Sequence, residues 1–94
     1  MRTLKIHLIR HGATDANYDG RYIGCKTDLP LASEGLNELR MLKDDIDYPE
    51  IERLYSSPML RCRQTGAVLY PDFEPVTVEE LKEYDFGSFE NKTA

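Results

Sequence analysis

The hydrophobic positions of the chain fall into short blocks whose character changes in a regular order. Thr3 to Ile9 (TLKIHLI) is rich in β-branched and aliphatic residues and stops at Arg10-His11-Gly12, which predicts a buried strand. Residues 12 to 32 hold Gly12, Asn17, Gly20, Gly24 and Pro30 with no sustained period, the signature of a long loop, and long loops in small domains are usually functional. From Ser33 the apolar residues Leu36, Leu39, Leu42 and Ile46 recur at helical spacing until Tyr48-Pro49 ends the pattern. Ile51 to Ser56 reads as a second short strand. Ser57-Pro58 then supplies an N-cap and a first-turn proline for a second helix, running through Met59, Cys62, Gly66 and Leu69 to Tyr70-Pro71. Pro75 to Val78 is a third strand, and the remaining LKEYDFGSFENKTA is loop with a glycine turn at Gly87. Strand, helix, strand, helix, strand in this order predicts a parallel α/β sheet.

Composition narrows the class. With 94 residues, 40% hydrophobic and 31% charged, the chain has the make-up of one globular domain, 1–94, with a modest core. A net charge of -5 argues against a general nucleic-acid surface, which needs a basic face, so any positive site is local. No apolar run approaches a membrane span, and the start MRTLKIHLIRHG lacks a signal-peptide core, so the chain reads as cytoplasmic and Cys25 and Cys62 as reduced thiols.

In open parallel sheets ligands collect beyond the carboxyl ends of the strands. Three pieces occupy that position: Arg10-His11-Gly12, Ser57 to Arg61, and the segment around Glu83. An imidazole beside a glycine that permits close approach can attack phosphorus. Arg10 precedes it, and Arg61 lies in the first turn of a helix whose amides favour an anion, so both arginines suit the charge of a phosphoryl group in transfer. Glu83 can protonate the leaving oxygen and later activate water. Each element also has a plainer reading: His7 is a strand histidine, Arg61 with Arg63 a solvated helix face, and Glu83 a surface charge. Asp15-Ala16-Asn17-Tyr18-Asp19-Gly20 fits the first six positions of a calcium loop, but the twelfth is Lys26 where the ion needs a bidentate glutamate. Asp44, Asp45 and Asp47 near a helix end read as a solvated face.

Taken together these blocks resemble the histidine phosphatase superfamily, also called phosphoglycerate mutase-like. The resemblance is carried by Leu8-Ile9-Arg10-His11-Gly12, by Asn17, by Arg21-Tyr22-Ile23-Gly24 with Thr27-Asp28-Leu29-Pro30-Leu31 ahead of Gly35, by Ser56-Ser57-Pro58-Met59-Leu60-Arg61 with Gln64-Thr65, and by Leu81-Lys82-Glu83 with Phe86-Gly87-Ser88-Phe89-Glu90. It implies an α/β/α sandwich on a parallel sheet, of which this chain is the N-terminal half. It also implies His11 as phosphorylated nucleophile, Arg10 and Arg61 as phosphate clamps, Glu83 as proton donor, and Asn17, Thr14, Arg21 and Gly24 lining the pocket. The implied reaction is two in-line steps through a phosphohistidine, with no metal or cofactor, on a small-molecule phosphate ester, without nucleic acid or membrane as partner. Ala13-Thr14 stands where mutases of the family usually have an acidic residue followed by Ser. GCKTDLPL looks more like the small-molecule phosphatases, particularly the α-ribazole-phosphate phosphatases of cobalamin synthesis.

The family's pocket contains a second histidine late in the chain, and this sequence has none after His11. The resemblance therefore implies that the later strands lie outside these residues. A lone half presents an unpaired sheet edge that invites self-association or pairing with a complementary C-terminal half. Losing one charged donor at a phosphoryl site costs on the order of 100- to 1,000-fold in rate. Three readings stay open: a phosphatase, a phosphoglycerate mutase-type transferase, and a phosphate-binding or dimerising module without turnover.

Overall fold

Thr14 is fully buried and starts the first helix of the chain, a segment whose sequence shows no helical period. The structure is a computed structural model that describes residues 3–21, 24 and 27–82. Helix α1 (Asp15–Asp19) lies inside the segment expected to be loop throughout. It exists because its ends are closed. The Thr14 side chain accepts the Asn17 N–H, the Asn17 carboxamide oxygen accepts the Thr14 N–H, and Gly20 takes the left-handed conformation at φ 69° that terminates it. The calcium-loop alternative therefore meets a capped helical turn at Asp15–Asp19.

Helix α2 (Ser33–Asp45) follows at the expected place. Leu39 is buried, Leu36 half-buried, and Leu42 and Ile46 are exposed, so only part of the apolar stripe is covered. Its N-cap is Ala32, which offers no side-chain hydrogen bond, and Ser33 does not replace it. Strand β1 (Tyr55–Ser56), helix α3 (Leu60–Leu69) and strand β2 (Val76–Thr77) form one strand–helix–strand unit. β1 and β2 pair in parallel, Tyr55 against Val76 and Ser56 against Thr77, with flanking bonds from Val76 N–H to Leu54 C=O (2.8 Å) and Val78 N–H to Ser56 C=O (2.8 Å). Both strands are shorter than the sequence pattern predicts. A single 3₁₀ turn, Glu79–Leu81, follows; Glu83 and Gly87 lie outside the described residues. Among the described residues no helix is long and apolar enough to cross a membrane.

Two sequence expectations need correction. Thr3 to Ile9 is not a buried strand: Leu4, Ile6 and Leu8 are 84, 74 and 92% exposed, and among the described residues no hydrogen bond ties residues 3–10 to another segment. Apolar composition marks a segment for burial, but a strand exists only where a ladder partner is present. The second concerns the start of α3, which is Leu60 rather than Ser57. Ser57 Oγ accepts the Met59 N–H at 3.2 Å, one step ahead of the helix, and the first helical amide, Leu60 N–H, donates to Asp28 Oδ1 at 2.6 Å.

The small core lies where α2 and α3 meet, with Ala16, Leu31, Ala32, Leu39, Met59 and Leu69 buried. Gly35, in the first turn of α2, rests on the backbone of Ala13, whose carbonyl also accepts the Ala32 N–H at 2.9 Å. A Cβ at Gly35 would collide with the Ala13 carbonyl oxygen and stand 3.0 Å from its nitrogen. Backbone cannot yield as a side-chain tip can. Gly35→Ala is thus expected to destabilise the chain by about 1–3 kcal/mol despite the better helix propensity of alanine. Gly66→Ala, whose Cβ would meet only the tip of Leu54 at 3.3 Å, should be neutral or stabilise by up to about 1 kcal/mol, both read from urea midpoints.

Candidate active site

Gly12 ends the exposed N-terminal segment and is the first residue held firmly from the side. Its N–H donates to Thr65 Oγ1 (2.9 Å), and the same hydroxyl donates to the Arg61 carbonyl (2.8 Å) one turn back on α3. Thr65 thereby joins the backbone ahead of α1 to the middle of α3. Gly12 needs to be small here, because a Cβ would stand 2.7 Å from Leu39 Cδ1 and 3.3 Å from Leu31 Cδ2.

One residue upstream, the half-buried His11 donates from Nδ1 to the Gly12 carbonyl at 2.6 Å. A carbonyl can only accept, so the bond fixes the proton on Nδ1 and leaves the lone pair on Nε2. A neutral imidazole in that tautomer is a nitrogen nucleophile. His11 and Arg10 line a cleft of about 540 Å³ together with Ser56, Ser57 and Thr65, so the ends of the first segment and of β1 converge, as expected for chemistry at the carboxyl edge of a parallel sheet. Arg10 is exposed at its mouth.

The remaining expected residues are placed differently. Arg61 is 0% exposed; Nη1 donates to the Thr27 carbonyl (2.8 Å) and Nη2 to the Gly24 carbonyl (3.3 Å). Gly24 is buried and contributes that carbonyl. Arg61 thus ties the Gly24 and Thr27 carbonyls to α3, and Asp28 answers with its carboxylate, which holds the Leu60 N–H. The anion that the α3 N-terminus favours is in this structure a carboxylate of the chain itself. Thr14 and Asn17 serve each other as a capping box, and the Thr14 hydroxyl also donates to Asn17 Oδ1 at 3.1 Å. Arg21 is ion-paired with Asp19 at 3.2 Å. Glu83 and Cys25 lie outside the described residues, while Cys62 lines the cleft.

Asp28 as a helix cap and Gln64, whose Oε1 accepts the Leu31 N–H at 2.7 Å, escaped sequence reasoning. They act on amides 32 and 33 residues away in the chain, and no local pattern reports a bond of that span.

Comparison with known proteins identifies the family. The sequence profile of the histidine phosphatase superfamily (branch 1) matches residues 6–94, and the chain belongs to that superfamily. It is 29% identical over 89 residues to the adenosylcobalamin/alpha-ribazole phosphatase of Salmonella typhimurium, covering 93% of this chain and 44% of that one. Among solved structures it is similar to a phosphoserine phosphatase of Entamoeba histolytica in complex with 3-phosphoglyceric acid (32% identity, TM-score 0.77, 88% of this chain and 41% of that one). It is likewise similar to the alpha-ribazole phosphatase of Shigella flexneri (29% identity, TM-score 0.77, 90% and 43%). The chain spans less than half the length of these relatives.

The Thr65 bridge can be tested directly. Thr65→Val keeps the shape but leaves the Gly12 N–H without its acceptor, and is expected to cost about 1–3 kcal/mol. Thr65→Ser retains the hydroxyl and should recover most of that loss, both measured by urea denaturation.

Proposed function

We propose that the chain carries the nucleophile half of a metal-independent phosphomonoesterase that works through a phosphohistidine on His11. The observation that carries this reading is the Nδ1–H bond from His11 to the Gly12 carbonyl, because it presets the nucleophilic tautomer with no general base. In the first step Nε2 attacks phosphorus in line as the ester P–O bond breaks, and the leaving alkoxide takes a proton from the carboxylic acid of Glu83. In the second, the Glu83 carboxylate removes a proton from water, which displaces the imidazole and releases inorganic phosphate.

Arg10, beside His11, and Arg61, held by the Gly24 and Thr27 carbonyls, supply positive charge to the transferring oxygens. Two N–H groups of Arg61 are directed at Gly24 and Thr27, which orients its guanidinium. The family resemblance assigns Asn17, Thr14, Arg21 and Gly24 to the phosphate pocket; the cleft that His11 lines does not include them. The substrate class is a small phosphate ester, and the relatives support α-ribazole 5'-phosphate as the first to try. Turnover belongs to a site completed by a complementary C-terminal half.

The test is intact-mass analysis after incubation with an activated phosphate ester under mildly alkaline handling. A phosphate adduct is expected on the chain and none on His11→Ala; an adduct retained in that variant would rule out the nucleophile. In a completed enzyme, Glu83→Gln should slow turnover while phosphate binding persists. Release of inorganic phosphate from α-ribazole 5'-phosphate, against isomerisation of 3-phosphoglycerate, separates phosphatase from mutase.

A further inference from the structure

His11 and Arg61 come from different elements, yet one hydroxyl touches the backbone at both. Thr65 Oγ1 accepts the Gly12 N–H, which belongs to the peptide carrying the His11 carbonyl, at 2.9 Å, and donates to the Arg61 carbonyl at 2.8 Å. The first of these bonds spans 53 residues. Thr65 is 5% exposed, so water competes little for either bond. It also lines the cleft that His11 lines.

A helical threonine can give its proton to the carbonyl one turn back, but such a bond adds nothing to a helix and slightly weakens many of them. Within α3 the Arg61 carbonyl already has the Thr65 amide as its regular partner. What the second bond does is fix the hydroxyl. With its one proton committed to Arg61, Oγ1 is left with lone pairs only, and it meets Gly12 as an acceptor.

Gly12 is the residue where such a hold matters most, because a glycine backbone turns more freely than any other. Its N–H is held by Thr65 and its carbonyl accepts the His11 Nδ1 proton at 2.6 Å. Free to rotate, Gly12 would carry that carbonyl away from Nδ1, and the imidazole would lose both its tautomer and its direction.

We propose that Thr65 is a positioning residue for phosphoryl transfer: its hydroxyl sets the spacing between His11 and Arg61 and, through Gly12, keeps Nε2 of His11 unprotonated. This rests on His11 as the nucleophile. Thr65 takes no proton in the reaction and acts only through the two groups it joins.

The test compares the chain with Thr65→Val, Thr65→Ser and Tyr70→Phe, with urea midpoints measured for each. The last loses a bond of similar length, 2.7 Å to the Pro49 carbonyl, at the far end of α3. Two readouts are taken. One is the imidazole ¹⁵N shifts of the neutral histidines, with exposed His7 as internal reference. The other is the rate of phosphate adduct formation on His11 against concentration of an activated phosphate ester.

Thr65→Val should move His11 from the single Nδ1–H form toward the tautomer mixture of His7. It should also lower the maximal adduct rate at least about tenfold, while the half-saturating concentration changes less than about threefold. Thr65→Ser should restore both, and Tyr70→Phe should lower the midpoint and move neither. Should Thr65→Val fail to fold, Thr65→Ala removes the hydroxyl without setting a methyl against the Gly12 N–H, and carries the same expectations.

Wild-type shifts and rate in the variant lacking the hydroxyl, no recovery in Thr65→Ser, or equal changes in Tyr70→Phe would each overturn the proposal. Absence of an adduct on the unsubstituted chain counts against the catalytic reading alone, and the ¹⁵N shifts then decide whether Thr65 positions His11. An adduct that forms equally fast without the hydroxyl keeps the nucleophile and removes the role of Thr65.

Discussion

Everything near the site depends on how closely helices α2 and α3 approach the backbone of residues 12–14. Gly35 lets α2 rest on Ala13, Gly12 lets Leu39 and Leu31 close over the same stretch, and Thr65 holds it from the α3 side. Thr14 then turns the chain into α1. Three successive residues are thereby fixed by three different elements, none by its own side chain bulk. The consequence for His11 is asymmetric. Downstream it is anchored through Gly12, which also accepts its Nδ1 proton, whereas among the described residues no hydrogen bond ties residues 3–10 to another segment. A reactive side chain needs its geometry fixed within a fraction of an ångström, and the bond to Gly12 supplies part of that.

Arg61, Gly24, Thr27 and Asp28 form a second connected unit. Gly24 and Thr27 give carbonyls to the guanidinium, and Asp28 takes back one helix amide. A buried cation is costly unless satisfied, and both terminal nitrogens of Arg61 donate to backbone carbonyls. The Leu60 N–H at the start of α3 is already engaged by Asp28 and is not open to another anion.

The two main helices and the two paired strands were legible in the sequence because each is delimited locally: a 3.6-residue stripe from Leu36 to Leu42, prolines at Pro49 and Pro71, short apolar runs at Ile51 and Pro75. Helix α1 was not, since five residues are too few to show a period and its stability comes from Thr14, Asn17 and Gly20. His11 and Arg10 were legible as adjacent candidates, and both line the cleft, although residues 3–9 do not form the strand expected to lead up to them. The contacts of Arg61, Asp28 and Gln64 span loops of thirty residues or so, which only the fold can close. Residues 3–9 show the opposite failure. Their composition describes the environment the segment is suited to, and the structure shows the segment without it.

That mismatch links stability to chemistry. Ordering a segment costs roughly 1–2 kcal/mol per residue in backbone entropy, which ladder bonds and apolar burial must offset. With Leu4, Ile6 and Leu8 in solvent, neither offset is collected on the upstream side of His11. Where a segment samples many positions, a ligand that needs one of them binds more weakly in proportion to the fraction of time it is populated. Anything that pairs residues 4–8 raises that fraction without touching the ligand. On the proposed reading of His11, order in residues 4–8 and order at the nucleophile are coupled through the chain that joins them.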